Sequence, residues 1–421
     1  MKDYTKNNSK ELTEHFFRKE YGKMVSVITR FIGTENVETA EDIVQETLLR
    51  AVEHWQIGIP ENPQAWLYKT AKNLTLNLLK RKKYQKQYET IEVKKVKDLE
   101  NINFSDKLIL DEQLKMMFVC CHPSISENSQ IALILKILCG FSISEIANSF
   151  FSTNETINKR LVRGRKQLRK NKVNFEIPLE LNENLNIVLK TIYLLFNEGY
   201  FPSQKNQTVR YDLCLEAVRL AKILVNSTYL QDKADCHALL ALMYLNASRF
   251  KSRIDKEGLT IEMEKQDRKE WNQELIQRGI QQLNLATKEE KNSIFLILAT
   301  ISANHCIAQS FEQTNWKEIL SLYDRLVELE DSPITRLNRS VALAKVKGNK
   351  RAIAELKKLE SISDIGSHYL FHFTLGEFYN SENKRSMAFE QFKKALSLAQ
   401  NGRDIDLLKK KLLEVVPNYQ S

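Results

Sequence analysis

The stretch SISEIANSFFSTNETINKRLVRGRKQLRK, residues 142–170, carries two helical periods separated by a polar break. Ile143, Ile146, Ala147 and Phe150 recur at i, i+3, i+4 and i+7, the apolar stripe of a first helix. Ser152, Thr153 and Asn154 interrupt it, and each is a residue type that caps a new helix. The second helix keeps Ile157, Leu161 and Leu168 for a buried side, while Lys159–Lys172 holds eight Lys or Arg and no acid. An apolar edge under an all-cationic remainder suits a helix-turn-helix lying in the DNA major groove, with cations on phosphates and a few side chains at base edges. A solvated amphipathic helix would show the same face, so the neighbouring segments must decide.

The rest of the composition points to an all-α chain. Gly (12) and Pro (7) are scarce for 421 residues. This length suits two to four domains with real cores. The net charge of +10 is uneven: residues 1–172 hold 29 Lys/Arg against 21 Asp/Glu, and the remaining 249 hold 34 against 32. A polyanionic partner is therefore an expectation for the N-terminal part. Six cysteines (120, 121, 139, 214, 236, 306) lack metal spacing and sit mostly in apolar runs, as in a reduced cytoplasmic protein. Cys120-Cys121-His122 would need a second ligand pair to bind zinc, and none is in view, so no metal is expected. The first residues, MKDYTKNNSKELTEHFF, lack the apolar run of a signal peptide, so none is expected, and the apolar runs are too short or interrupted to cross a bilayer.

Upstream, Leu12, Phe16, Phe17, Met24, Val27, Ile28 and Phe31 mark a first helix. Val37 to Trp55, with Glu35 just ahead of it, is acidic: Glu35, Glu38, Glu41, Asp42, Glu46 and Glu53 stand against Arg50 alone. Such a face repels DNA and suits a protein partner, although an acidic solvent face reads identically. Pro60 and Pro63 stiffen the following loop, residues 56–64. The next helix, 65–86, mixes Lys69, Lys72, Lys80, Arg81, Lys82, Lys83 and Lys86 with Trp66, Tyr68 and Tyr84. Cations tracking a backbone beside rings that stack bases describe a surface for melted nucleic acid. Alternatively Trp66 and Tyr68 belong to a core. Residues 87–107 mix charges without a period and read as a mobile linker.

In this order, AEDIVQETLLRA (40–51), PQAWLYKTAKNLTLNLLKRKK (63–83) and the helix-turn-helix resemble the extracytoplasmic-function (ECF) class of sigma-70-type RNA polymerase sigma factors. The resemblance implies a cytoplasmic initiation factor that binds core RNA polymerase, recognises promoter DNA and aids strand opening, with no catalytic residue and no cofactor. It places polymerase docking at Asp42, Gln45 and Glu46. The minus-ten element falls to Trp66, Lys69, Lys72, Asn73, Asn77, Lys80 and Arg81. Asn158, Lys159, Val162 and Arg163 would read the minus-thirty-five element, with Arg160 and Arg165 nearer phosphate. The departures are Phe151 where such turns usually have Gly, Asn158 in place of a cation, and Gly164 inside the recognition helix. That glycine is expected to weaken the helix by about 1 kcal/mol relative to Ala.

Helical segments continue to the end of the chain. Leu375, Gly376 and Tyr379 with Ala388, Phe392 and Ala395 fit one tetratricopeptide (TPR) repeat, in which His372 stands for the usual Trp and Gln400 for the closing Pro. FVCCHPSISENSQIAL (118–133), IYLLFNEGYFPS (192–203), YDLCLEAVRL (211–220), EKQDRKEWNQELI (264–276) and YDRLVELEDSPITRLNRSVA (323–342) resemble an ECF subgroup with a long helical tail. That resemblance implies a tail that controls activity. Asn197, Glu198, Tyr200, Asp267, Arg268, Trp271, Asn338 and Arg339 form either a partner site or internal braces. Stacked helical repeats bind peptides, so a regulatory protein is the expected ligand. The organisation expected is region two over 1–86, linker 87–107, region four over 108–172, a helical extension over 173–330 and TPR-like repeats over 331–421. The rival is an ordinary helix-turn-helix regulator with a TPR-like sensor domain, which leaves residues 40–83 unexplained.

Overall fold

The computed structural model describes residues 2–56, 58–85, 90–149, 152–178, 181–200, 210–253, 255, 261–288, 292–362, 364–399 and 402–416. Lys86, Phe150, Phe151 and Gln400 of the sequence reading lie outside them. The described residues form 19 α-helices and no strand, as the composition predicts. The N-terminal ones are α1 (Lys2–Ile32), α2 (Val37–His54), α3 (Pro63–Gln85), α4 (Thr90–Glu100), α5 (Asp106–Cys120), α6 (Glu127–Leu133), α7 (Ile143–Ser149) and α8 (Asn154–Lys170). Then come α9 (Leu181–Tyr200), α10 (Tyr211–Asn226), α11 (Ala234–Ala247), α12 (Gln273–Ala286), α13 (Ile294–Ile307) and α14 (Trp316–Leu329). The last are α15 (Pro333–Lys347), α16 (Asn349–Ile362), α17 (Tyr369–Ser381), α18 (Arg385–Leu398) and α19 (Gly402–Val415).

They fall into two compact units. The first comprises residues 1–195 and 222–230, the second residues 196–221 and 231–421. In the first unit α1 is the central post. Its Met24, Val25, Val27 and Ile28 are fully buried, and α2, α3, α5 and a π-helical turn at Ile134–Leu138 pack around it. At Gly22 an added Cβ would stand 2.2 Å from the Leu138 carbonyl oxygen, so only glycine lets these backbones meet. Residues 90–100 correct the expectation of an irregular linker. They form α4, whose Val96 and Leu99 are buried and which packs against α3. The short, broken apolar period concealed it.

Helices α7 and α8 follow their local chemistry. Ser142 and Glu145 form a reciprocal capping box on α7, with Ser142 N–H donating to Glu145 Oε2 at 2.7 Å and Glu145 N–H to Ser142 Oγ at 3.2 Å. Thr153 caps α8 by accepting from Thr156 N–H at 3.1 Å. Ile157, Leu161, Gly164 and Leu168 make the buried stripe of α8. Gly164 is not the weak point its helix propensity suggests. A Cβ there would lie 2.8 Å from Cδ1 of the fully buried Leu133 on α6. Gly164→Ala is therefore expected to destabilise the protein by about 1–3 kcal/mol, the overpacking range. Urea unfolding midpoints check this, and a stabilised variant would refute it.

In the second unit α11 is apolar all round, with Cys236 and every residue from Ala238 to Leu245 buried, and it packs on α12 and α13. From α13 onward each helix packs on its successor. Asn272, Ser293, Asn315 and Ser332 cap α12 to α15 in turn. Leu375, Gly376, Tyr379, Ala388, Phe392 and Ala395 are all buried between α17 and α18. A Cβ on Gly376 would meet the Phe392 ring at 2.6 Å, so a small residue admits the aromatic.

Candidate nucleic-acid interface

The acidic helix α2 has two different faces. Val37, Ala40, Ile43, Val44, Thr47 and Ala51 are buried, whereas Asp42, Gln45 and Glu46 are exposed. Glu46 is paired only along its own helix, with Arg50 at 2.6 Å. The same outer face carries Leu49 and Val52, 59% and 48% exposed. The periodic count passed over these two, because a helical stripe built from Leu48 and Ala51 leaves them looking like ordinary surface. Acids ringed by exposed aliphatics on a stable helix form a protein-docking type of surface.

Glu41 turns inward. It is 3% exposed, accepts from Tyr21 Oη at 3.2 Å and forms an ion pair with Arg165 of α8. Burial raises its pKa, and the charges of Arg165 and Lys136 oppose that rise. Burial, then Glu41, likewise push the Tyr21 phenol upward. Glu38 holds Arg165 at 3.3 Å and Arg169 at 3.1 Å. Arg165, expected near phosphate, thus faces α2 in this arrangement.

On α3 the exposed residues Lys69, Asn73, Asn77, Lys80 and Arg81 follow one another at helical spacing along a single face. Trp66, at the head of that line, is half-buried and set edge-on to Trp55 at 5.8 Å, and Trp55 in turn meets Phe16 and Phe17. Tyr68 is a core residue. It is 6% exposed, donates to Glu20 Oε2 at 2.6 Å and stacks on Phe104 at 4.8 Å. The end of α4 engages two of the cations: Lys72 Nζ donates to the Glu100 carbonyl at 2.7 Å, and Lys80 pairs with the Glu100 carboxylate at 3.0 Å.

The outer edge of α8 presents Asn158, Lys159, Val162 and Arg163, all exposed, with Val162 at 53%. Arg160 is half-buried, and Lys159 pairs with Glu155 at 2.7 Å within the helix. Every residue expected to read bases is therefore on one accessible edge.

Elsewhere several of the singled-out residues contact their neighbours. Cys120 and Cys121 are buried, and burial pushes the Cys121 thiol up to about 12. Cys121 Sγ contacts Thr191 Oγ1 at 3.7 Å, while His122 Nδ1 lies 2.8 Å from Ser124 Oγ. Among the described residues no cluster of three His, Cys, Asp or Glu could hold a metal. Tyr200 stacks with Phe196 at 5.7 Å and accepts from Arg249 at 2.9 Å. Trp271 is 2% exposed beneath Arg268, whose guanidinium lies 4.7 Å from the ring. Asp267 accepts from Lys269 N–H at 2.9 Å, and Arg339 pairs with Asp324 at 2.6 Å. Burial, then Arg249 and Arg268, hold the His305 imidazole down at about 3. An unfolded histidine titrates near pH 6.5, so the unfolded chain binds the extra proton between the two values. Stability contributed by neutral His305 is full above pH 6.5 and is lost as the pH falls. Acidification from 6.5 to 5 is expected to remove about 2 kcal/mol. Denaturant titrations of His305→Gln should show a flatter profile over that range.

Residues 16–84 match sigma-70 region 2, and residues 184–287 match a family of unknown function, DUF6596. An uncharacterised protein of Rhizobium meliloti is 30% identical over 384 residues, covering 90% of each chain. The ECF RNA polymerase sigma-E factors of Salmonella typhimurium and Escherichia coli are 27% identical over 153 residues, 35% of this chain and 78% of theirs. No helix among the described residues is long and apolar enough to cross a membrane. The chain belongs to the family of the Rhizobium meliloti relative, with a sigma-70 region 2 at its N-terminal end.

Proposed function

We propose that this protein is an ECF-type sigma factor: a non-enzymatic initiation factor of the cytoplasm that binds core RNA polymerase, recognises promoter DNA and aids strand opening without a cofactor. The observation that carries the reading is the exposed line Lys69–Asn73–Asn77–Lys80–Arg81 on α3, lying within the region-2 match and headed by the half-buried Trp66. Cations and amides on one face supply phosphate and base contacts, and a ring at its end supplies stacking. Polymerase docking falls to Asp42, Gln45 and Glu46. The upstream element falls to Asn158, Lys159, Val162 and Arg163, with Arg160 beside them, while Arg165 and Arg169 reach phosphate only after release from Glu38 and Glu41. An ordinary helix-turn-helix regulator with a sensor domain would make no use of the α2 and α3 faces. Residues beyond α8 regulate activity through contact with protein, a role suited to their near-neutral charge and helical repeats.

Run-off transcription with purified core polymerase and the cognate promoter tests this. The full chain should start transcription where core enzyme alone does not. Replacing Asn73 or Trp66 should spare duplex binding and reduce permanganate reactivity of the opened strand. Replacing Arg163 should weaken duplex binding by about 1–3 kcal/mol, the value of a base-reading contact. Duplex binding without any polymerase-dependent initiation would favour the ordinary-regulator reading.

A further inference from the structure

One short segment of the second unit belongs to no α-helix and still reaches far along the repeats. Residues 261–265, IEMEK, contain a single 3-10 turn at Met263–Lys265. Ile261 N–H donates to the Arg253 carbonyl at 2.8 Å, which anchors one end. The segment forms one wall of a cleft of about 270 Å³. His305, Phe311, Trp316, Tyr323, Asn338 and Val341 form the other wall, drawn from α13, α14, α15 and the loop after α13.

The two acids of this segment are each read by a lysine of the repeats. Lys411 of α19 is 4% exposed and holds Glu262 at 3.1 Å and Glu377 of α17 at 2.9 Å. Lys345 of α15 reaches Glu264 at 3.7 Å while lying 4.6 Å from the centre of the Phe311 ring. Phe311 and Trp316 meet edge to face at 5.0 Å, and His305 approaches Trp316 at 5.3 Å. The wall thus offers a lysine, an aromatic patch and a second lysine to an acid, an apolar residue and a second acid. A groove between helical repeats ordinarily takes an extended peptide from another protein. Here a piece of the same chain lies along it, with Glu262, Met263 and Glu264 facing the aromatic wall across the cleft. Glu264 and Lys265 remain exposed, and the main buried tie the segment would lose on leaving is the pair of Glu262 with Lys411, which keeps Glu377 as a partner.

We propose that this groove docks an acidic, extended acid–apolar–acid peptide of a regulatory partner, and that residues 261–265 occupy it in cis until the partner displaces them. This rests on the reading that the C-terminal half acts through protein contact, and it supplies the chemistry of that partner. Displacement would free the segment from Lys345 and Lys411, which stand 81 positions from Glu264 and 149 from Glu262.

The test uses the full chain and a fluorescein-labelled peptide of its own sequence, TIEMEKQ (260–266), followed by fluorescence anisotropy. The Glu262→Gln/Glu264→Gln variant, whose groove is emptied, should bind the peptide about tenfold or more tightly than wild type, because occupancy in cis lowers the apparent affinity by the fraction of open groove. Adding Lys345→Glu should remove that gain. Lys345 is 38% exposed in its side chain, so folding is not at stake, and circular dichroism verifies it. The peptide TIQMQKQ, which lacks both acids, should not compete. Failure of the folded, emptied variant to bind, equal binding by wild type, indifference to Lys345→Glu, or equal competition by the acid-free peptide would each overturn the proposal. Polymerase and DNA are absent from the assay, so a negative result leaves the sigma-factor reading standing, and a failed transcription assay leaves this groove untouched.

Discussion

Replacing Asp42 and Glu46 together by lysine is expected to abolish association with core polymerase while leaving the fold intact. Both side chains are exposed, and neither takes part in the buried stripe of α2. Surface changes of this kind usually alter stability by no more than about 0.5 kcal/mol. A charge-complementary interface responds far more strongly, because each reversal turns an attraction into a repulsion. The two reversals should weaken binding by about 3 kcal/mol or more, roughly a hundredfold in Kd. Leu49→Asp should act in the same direction, since its exposed aliphatic chain lies on the same face. Native gel shifts of core enzyme with each variant measure the effect. Holoenzyme formation at wild-type affinity would remove α2 from the docking surface.

The sequence was most informative where a function demands residues at helical spacing on one helix. The outer edge of α8 and the line from Lys69 to Arg81 are legible because each helix buries a separate apolar stripe, Ile157, Leu161 and Leu168 on α8 and Leu67, Ala71 and Leu79 on α3, which leaves the polar line on another face. What stayed hidden depends on partners far along the chain. Glu41 and Asp42 are adjacent acids, and nothing local tells that one faces solvent and the other meets Arg165, 124 residues later. Gly164 looked like a helix flaw until Leu133 occupied the space above it. Tyr68 and Lys69 are similarly adjacent, yet Glu20 and Phe104 draw the tyrosine into the core. The boundary placed at Lys172 was also drawn from local pattern alone. Within the first unit, Thr191 of α9 meets the buried Cys121, Lys190 pairs with Glu127, and Thr34 donates to the Val173 carbonyl. A truncation after Lys172 would strip these contacts along with the tail, so loss of activity in that fragment would not isolate a regulatory effect.

Removing the Arg165 guanidinium is expected to destabilise the first unit strongly, because it orphans a buried charge. Arg165 is 14% exposed in its side chain and neutralises Glu41, 4% exposed. Arg165→Ala would leave that carboxylate buried beside Tyr21 with only the more distant Lys136 to offset it. Breaking one partner of a buried pair typically destabilises by about 3–5 kcal/mol. The orphaned acid should respond by holding its proton more tightly, so its folded-state pKa would climb further above the unfolded value. Stability of the variant should then be highest at acidic pH and decline as the pH rises through that raised value. Adding Glu41→Gln removes the buried charge and should restore much of the loss at neutral pH, since an amide can still accept from Tyr21. Guanidinium unfolding of the wild type, both single variants and the double variant at pH 5 and 7.5 closes the cycle. If Arg165→Ala is tolerated equally at both pH values, or if Glu41→Gln adds to the loss, the pair does not hold α8 to α2. If the cycle closes as expected, Arg165 and Arg169 become phosphate contacts only at the expense of their bonds to Glu38 and Glu41. Promoter binding and the packing of α8 on α2 would then draw on the same two arginines.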